Sequence, residues 1–228
     1  NGWLGVGWDI SIPSITVETR WGVPRYDTIY ESEVYVYEGE QLVTKDESGT
    51  FRLMPHRTNQ WISRTTLGNK EQFYPRRNEA FDSIVRHGSG PSEYWWSVTH
   101  RNGVTDYYGK RHGTATVNHS SVLCDPSNHN IAQWMLTESV DPSGNWVRYY
   151  YSTESRKSVT GTSINYGTQV YLDSIVYTGH DSLSGKYSVR FNRHNTPRCD
   201  IITNGRYGFR EVTAVTLCNV EVLYRDTI

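Results

Sequence analysis

The chain of 228 residues is 36% hydrophobic and 13% aromatic, with 17 Tyr and 8 Trp against 2 Met. Its net charge is -1 at pH 7, so it lacks the long-range field that would collect nucleic acid or an anionic membrane surface. This composition is more typical of cores that are built from aromatic rings on sheets than of cores that are built from leucine-rich helices.

β-rich segments recur along the chain, and clusters of the turn-forming residues Gly, Pro, Asn, Asp and Ser separate them. In chain order these segments are Ser14–Thr19, Glu33–Tyr37, Phe51–Leu53, Trp61–Thr66, Gln72–Tyr74, Ser83–Arg86, Tyr94–His100, Thr105–Tyr108, Ile131–Val140, Trp146–Tyr151, Val170–Tyr177, Tyr187–Phe191, Glu211–Leu217 and Val220–Tyr224. No run of helical period with caps occurs, so we expect at most one short turn of helix. The predicted fold class is all-β, a large antiparallel, hairpin-rich sheet system.

Two hairpins are predicted from turn sequences. Asn102-Gly103 separates the Tyr94–Arg101 run from the Val104–Tyr108 run, and Asn-Gly between β-rich runs is the strongest short hairpin signal. A looser hairpin is expected across Asp141–Asn145, where Pro and Gly supply turn chemistry. Both turns favour antiparallel neighbours along the chain.

Two polar stretches rich in turn formers, Ser152–Thr168 and Thr178–Lys186, are predicted to be long loops. Because strand signals resume beyond both with similar composition, we expect residues 1–228 to form a single domain. A domain boundary near either stretch, in particular within 152–168, is the alternative.

The cysteines and histidines show no ligand framework. Cys124, Cys199 and Cys218 include no Cys-x-x-Cys pair, so we interpret them as buried or incidental thiols, with a Cys199–Cys218 bridge as the alternative. The 8 His lack a His-Glu-x-x-His motif or paired ligand spacing, which favours surface roles over zinc. We therefore predict neither a metal nor a cofactor.

The chain opens on Asn1-Gly2-Trp3 without an initial Met or signal peptide. It contains no apolar stretch long enough to span a bilayer. We interpret this start as a cut inside a longer polypeptide, so the missing signal carries no information on location.

Landmark segments follow one another in collinear order along essentially the whole chain. They are Asn1–Ile15, Gly22–Asp27, Gly39–Val43, Tyr74–Arg77, Phe81–His87, Tyr94–Thr99, Gly103–Gly109, Trp134–Glu138, Asp141–Tyr151, Tyr171–Tyr177, Pro197–Asp200 and Gly208-Phe209. In this order they resemble the Salmonella virulence plasmid B protein (SpvB) family, which includes the B component of insecticidal Tc toxin complexes. The stretch Asp141-x-x-Gly144-Asn145-x-x-x-Tyr149-x-Tyr151 is also similar to the core of YD repeats.

The resemblance implies a fragment of a hollow, strand-wound cocoon of the Rhs and Tc toxin B type, which holds an unfolded toxin segment until delivery. The implied partners are other segments of the parent shell, companion toxin-complex subunits and an enclosed toxin polypeptide, with no nucleic acid and no membrane insertion. The implied location is secreted or extracellular, in bacteria. The later repeats of the family and its ADP-ribosyltransferase part are not recognisable in this sequence.

Two short motifs resemble catalytic elements of related proteins. Glu31-Ser32-Glu33 matches the Glu-x-Glu of ADP-ribosyltransferases, but the Arg and Ser-Thr-Ser partners are missing in order, so we expect a solvent-facing strand edge. Asp141-Pro142-Ser143-Gly144 is similar to a self-cleavage element of Rhs cores, yet a tight turn explains every residue. The same loop offers oxygens at Asp141, Ser143 and Asn145 for calcium but lacks the distal Glu. We therefore predict no enzyme.

Aromatic residues in two hairpins form the candidate lining or contact surface. They are Trp95, Trp96, Tyr107, Tyr108, Trp146, Tyr149 and Tyr151. Neighbouring side chains of a strand point to opposite faces, so Trp95 and Trp96 cannot share one sugar-binding platform. We predict a structural, non-catalytic shell segment with unpaired strand edges; an extracellular carbohydrate- or protein-binding module is the alternative.

Overall fold

Strands account for nearly all regular structure in the computed structural model, which describes residues 2–52, 61–77, 82–160 and 163–225. The strands are β1 (Ser14–Val17), β2 (Tyr30–Glu31), β3 (Tyr35–Tyr37), β4 (Glu40–Val43), β5 (Ile62–Ser63), β6 (Lys70–Pro75), β7 (Ser83–His87), β8 (Trp95–Thr99), β9 (Thr105–Tyr108), β10 (Val122–Cys124), β11 (Ile131–Val140), β12 (Asn145–Thr160), β13 (Ser163–His180), β14 (Tyr187–Arg193), β15 (Ile202–Asn204), β16 (Arg210–Thr213) and β17 (Leu217–Tyr224). A single helical turn, α1 (Arg64–Leu67), and a 3-10 helix (His119–Ser121) complete these elements. The all-β prediction is confirmed.

Eight strands form a closed antiparallel barrel. The order β1-β3-β4-β6-β7-β8-β9-β11 returns to its start, because β1 pairs with β3 on one side and with β11 on the other. Ile15 lies opposite Tyr37 in one pair and opposite Trp134 in the other. Closure removes the free edges of these strands, a feature that the sequence analysis did not predict.

A sheet extension continues from the barrel. The second half of β11 pairs with β12, and the order then runs through β13 and β14 to β17. A short β15–β16 hairpin joins β13 through a parallel pairing. Among the described residues β17 pairs only with β14, so the extension has an open edge, as predicted.

The predicted loop over Ser152–Thr168 is wrong. β12 and β13 pair continuously from Asn145 opposite His180 to Thr160 opposite Ser163, and form a long two-stranded ribbon. A ribbon that extends beyond the core needs no alternation of apolar residues, so its polar composition resembles that of a loop. The second predicted loop is shorter than expected, because β13 continues to His180.

Both predicted hairpins are present. At Asn102-Gly103 the His100 amide donates to the Val104 carbonyl at 2.8 Å, and Gly103 adopts a φ of +86°, which glycine tolerates best. At the second turn Asp141 Oδ1 accepts from the amides of Ser143 and Asn145 at 2.9 Å each. These contacts explain the turn without a calcium ion.

The barrel interior is filled by side chains. Tyr35, Phe73, Trp96 and Trp134 pack edge to face, with ring centroids 4.9 Å apart for Tyr35–Trp96 and 5.0 Å for Phe73–Trp96. This geometry is the preferred one for aromatic pairs. The interior is therefore a packed core, as expected for eight strands.

A second, smaller cluster lies where the barrel meets the extension. It contains Leu123, Ala132, Val170, Tyr207 and Phe209.

The three cysteines are all free: Cys124 is buried, whereas Cys199 and Cys218 are exposed. The alternative of a Cys199–Cys218 bridge is therefore wrong. Within the described ranges, no helix is long and apolar enough to cross a membrane.

Candidate functional site

Two arginines and two glutamates lie together inside one end of the barrel. Alternation on β7 turns Arg86 inward beside Ile84, while Glu31 ends β2, Glu33 precedes β3 and Arg64 begins α1. Arg86 Nη1 lies 2.5 Å from Glu31 Oε2, and Arg64 contacts Glu31 at 3.1 Å and Glu33 at 2.5 Å. We call these four residues the buried charge cluster.

Polar and aromatic neighbours complete the cluster. Tyr35 Oη donates to Glu31 Oε1 at 2.7 Å, and Arg64 Nη1 donates to Tyr94 Oη at 2.9 Å. The Arg86 guanidinium lies 3.9 Å from the Tyr94 ring centroid. Burial lowers the pKa of Arg86, but electrostatic interactions with Tyr35 and the Glu31 carboxylate outweigh this effect and raise it overall. The guanidinium therefore stays charged.

The Glu31-Ser32-Glu33 motif does not form a solvent-facing strand edge, so that prediction is wrong. Glu31 and Glu33 are only 8% and 6% exposed, because each is drawn inward by an arginine. The cavity beside both carboxylates measures about 40 Å³ and a second cavity that Glu33 also lines measures about 220 Å³, whereas ligand pockets measure roughly 300–1,000 Å³. Both acids are thus engaged in ion pairs and have no room for a nucleotide.

The adjacent tryptophans of β8 face opposite sides of the barrel wall. Trp96 is fully buried, as is Tyr108 on the neighbouring strand. Trp95 is on the outer side, where it stacks on His87 at a centroid distance of 3.8 Å and lies 4.4 Å from Lys110 Nζ. Burial, aided by Lys70 and Lys110, lowers the pKa of His87 to about 4, so a neutral ring stacks on Trp95.

The other predicted aromatic residues divide between the outer wall and the extension. Tyr107 is half-buried next to His112. Trp146 is buried over Gly179, where an added Cβ would lie 2.0 Å from the indole. Tyr149 packs against the barrel core, and Tyr151 Oη donates to the Leu136 carbonyl at 2.7 Å. The seven residues therefore do not form one surface, and a contact role for Trp95 and Tyr107 stays a prediction.

His100 lies between two carboxylates at the end of the β8–β9 hairpin. Its Nδ1 is 3.1 Å from Asp82 and its Nε2 is 3.0 Å from Asp106. Burial lowers the pKa of His100, but the hydrogen bond and charge of Asp106, with those of Asp82, raise it overall above its usual value. The protonated ring is thus more stable in the folded chain than in the unfolded one.

We expect His100→Gln to cost more stability at about pH 5.5 than at about pH 8.5. A raised folded pKa contributes stability that is complete below the unfolded pKa and is lost as pH rises through the folded value. Urea unfolding of both chains at the two pH values measures the difference. An equal loss at both values would contradict the expected charge effect.

A group of possible metal ligands lies outside the buried charge cluster. His119, Cys124 and His129 place one ligand atom each within 4.8 Å of the other two. Burial, with the charge of Asp125, raises the pKa of the Cys124 thiol to about 11. This group was not predicted from the sequence, although the even spacing His-x4-Cys-x4-His was a signal that could have found it.

The fold is all-β, with a closed, filled antiparallel barrel and a sheet extension. A family model described as Salmonella virulence plasmid 65kDa B protein matches residues 1–219, and the chain belongs to this family. The resemblance seen in the sequence is thereby confirmed.

Curated relatives match part of the chain. The Mono(ADP-ribosyl)transferase SpvB of Salmonella typhimurium (strain 14028s / SGSC 2262) is 28% identical over 165 residues, which are 70% of this chain and 26% of that protein. The protein of the same name from Salmonella choleraesuis (strain SC-B67) matches with the same identity and coverage. The chain spans about a quarter of the length of these relatives.

Solved structures share the fold. The N-terminal domain of effector protein SpvB from Salmonella typhimurium strain LT2 has a TM-score of 0.72 at 18% identity, covering 99% of this chain and 91% of that chain. The TcdB2-TccC3-Cdc42 structure has a TM-score of 0.69 at 19% identity, covering 98% and 12%. The Photorhabdus luminescens Tc holotoxin pore has a TM-score of 0.70 at 20% identity, covering 98% and 11%.

Proposed function

We propose that the chain is a structural, non-catalytic segment of a secreted toxin-complex shell protein that encapsulates or helps deliver a toxic polypeptide. Its partners are other segments of the parent shell, companion toxin-complex subunits and the enclosed polypeptide. Residues 1–228 act as one domain. In support, the Leu217 amide donates to the Trp3 carbonyl at 2.7 Å, and the Trp3 ring contacts Tyr171 and Phe191.

The observation that carries this proposal is the open edge of β17. Its outer residues Val220, Val222 and Tyr224 are 48%, 69% and 53% exposed. An apolar edge strand of 8 residues invites pairing with another strand. We assign that place to a further strand of the parent shell, because pairing would satisfy the free backbone groups of β17 and place cross-strand neighbours beside Val220, Val222 and Tyr224 on their face of the sheet.

The relative lengths of the similar chains support this assignment. The fold makes up 12% of a TcdB2-TccC3-Cdc42 chain and 11% of a chain of the Tc holotoxin pore. In those proteins it is one part of a much longer polypeptide. The present fold is compatible with a position inside such a polypeptide. The barrel strands are all paired with one another, whereas the open edge of the extension can pair with a further strand.

The non-catalytic part of the proposal is supported by the buried charge cluster. Among the described residues, the paired carboxylates with a catalytic resemblance are Glu31 and Glu33, and both are held in ion pairs. A carbohydrate platform gains no support, because His87 and Lys110 already contact the Trp95 ring.

We expect Val222→Lys in the parent polypeptide to expose the enclosed guest to protease, with a cleavage rate raised at least about tenfold, because a charge at the paired edge opposes strand addition. Co-expression of the parent with its guest, followed by limited proteolysis, measures the rate. Leu183→Lys is the matched control, because Leu183 is 67% exposed in the turn between β13 and β14.

Equal protection of the guest in the Val222→Lys and unchanged parents would contradict the role of the edge. Hydrolysis of NAD by the chain, lost in Glu33→Gln, would contradict the non-catalytic assignment. Circular dichroism of each variant checks that the substitution leaves the fold intact.

A further inference from the structure

Three side chains with metal-binding atoms converge where the 3-10 helix, the end of β10 and the turn before β11 meet. His119 and His129 offer imidazole nitrogens and Cys124 offers Sγ, all within 4.8 Å of one another. The two imidazole centroids are 5.5 Å apart, with the rings tilted at 57°. The thiol is buried and both histidines are exposed, so the group is open to ions from solvent on the imidazole side.

The backbone holds these positions in place. Thr153 Oγ1 of β12 donates to the His119 carbonyl at 3.2 Å, and Cys124 lies opposite Ile131 in the β10–β11 pair. His129 donates its amide to the Asp125 carbonyl at 2.9 Å and has a φ of +61°, which histidine adopts more often than most residues. Within the described part of the chain, neither imidazole ring is hydrogen-bonded to a protein group.

We propose that His119, Cys124 and His129 bind a zinc ion through two imidazole nitrogens and one sulfur, with water as the fourth ligand. Sulfur and imidazole are ligands that zinc prefers, and three protein ligands with water make a four-coordinate site. Bond lengths of about 2.3 Å to sulfur and about 2.0–2.1 Å to nitrogen place tetrahedral ligands roughly 3.3–3.6 Å apart.

Because the ligand atoms lie within 4.8 Å of one another, binding requires them to approach by at most roughly 1.2–1.5 Å, which rotation of the exposed histidine side chains supplies. As the zinc–sulfur bond forms, the Cys124 thiol releases its proton to solvent. The zinc ion loses waters from its hydration shell to the two imidazole nitrogens and the sulfur. No oxidant or reductant takes part.

The bound ion would cross-link residues 119–129, the segment of the barrel side that packs against the extension. His119 lies against β12 through Thr153, and Leu123, the residue before Cys124, belongs to the second core cluster with Tyr207 and Phe209. A bond network across these segments stabilises the folded chain only, so zinc raises the unfolding temperature by mass action. This effect is independent of whether the chain serves in a toxin shell.

The test titrates the 228-residue chain, prepared without a histidine tag and stripped of metal, with Co²⁺ and then with Zn²⁺. We expect one Co²⁺ per chain, a sulfur-to-cobalt charge-transfer band, and displacement of Co²⁺ by Zn²⁺. Zinc at about 100 times its Kd should raise Tm by roughly 5–10 °C. Cys124→Ser should remove the band, and His119→Ala or His129→Ala should each weaken Co²⁺ binding at least about tenfold.

Cys218→Ser and His194→Ala are the matched controls, because both remove a ligand type outside the group. A missing band, a band that persists in Cys124→Ser, or a band lost in Cys218→Ser would overturn the proposal. If circular dichroism shows that Cys124→Ser is unfolded, the Co²⁺ affinity of His129→Ala becomes the deciding measurement. A folded His129→Ala chain with unchanged Co²⁺ affinity would overturn the proposal as well.

Discussion

Replacement of Arg86 by methionine is expected to lower the free energy of unfolding by about 3–5 kcal/mol. Arg86 is 1% exposed and contacts Glu31 at 2.5 Å, so its removal leaves a buried carboxylate with Arg64 as its remaining cationic neighbour. Methionine is flexible enough to fill much of the vacated space, so the loss reports mainly the charge. Urea unfolding followed by circular dichroism measures it.

An ion pair whose arginine is exposed provides the control for Arg86→Met. Arg20 lies 2.5 Å from Glu18, and the Arg20 side chain is 64% exposed while that of Glu18 is 8% exposed. Water can replace the exposed guanidinium, so we expect Arg20→Met to shift the unfolding midpoint far less than Arg86→Met. Adding Glu31→Leu to Arg86→Met should recover part of the lost stability, because it removes the buried carboxylate that has lost its Arg86 partner. A loss for Arg86→Met no larger than that for Arg20→Met would argue against a buried charge cluster.

Trp96→Ala is expected to lower the free energy of unfolding by about 3–5 kcal/mol, whereas Trp95→Ala should lower it by less than about 1.5 kcal/mol. Trp96 is fully buried among Tyr35, Phe73 and Trp134, so truncation leaves a cavity in the barrel core. Trp95 loses its stacking on His87 at the outer wall. The two variants remove the same atoms from adjacent positions, so each controls for the other in one unfolding experiment.

An equal decrease in the free energy of unfolding for Trp95→Ala and Trp96→Ala would contradict the placement of the two rings on opposite faces of the barrel wall. The Trp95→Ala chain also tests the carbohydrate-binding alternative. Glycan-array binding that disappears in this variant, while the fold is retained, would favour a binding module over a shell segment.

Local signals in the sequence predicted the hairpins, whereas the pairing of strands that are distant in the chain could not be predicted. Asn102-Gly103 dictates its turn through residues that are neighbours in the chain. Barrel closure depends on Ile15 pairing with both Tyr37 and Trp134, and alternation within β1 says nothing of its distant partners. The parts of β12 and β13 within Ser152–Thr168 were missed because strand prediction relies on apolar alternation, whereas Trp146–Tyr151 and Val170–Tyr177 of the same strands were predicted.

For the candidate sites, too, features within one strand were predictable, whereas contacts between distant segments were not. Sequence alone predicts Glu31 and Glu33 to be surface acids, because no spacing rule connects them with Arg64 and Arg86, which the fold places beside them. The alternation that separates Trp95 from Trp96 was predictable because it is a property of one strand. The His119–Cys124–His129 spacing was visible, but only the fold of the β10–β11 turn brings the ligand atoms together.

The filled barrel also limits how a guest polypeptide could travel. Trp96 and Trp134 occupy the interior with their rings 5.8 Å apart, so no chain can thread along the barrel axis. In the shell that we propose, an enclosed polypeptide would therefore lie outside this barrel, and a change of that polypeptide would leave the packing of the barrel core unaltered.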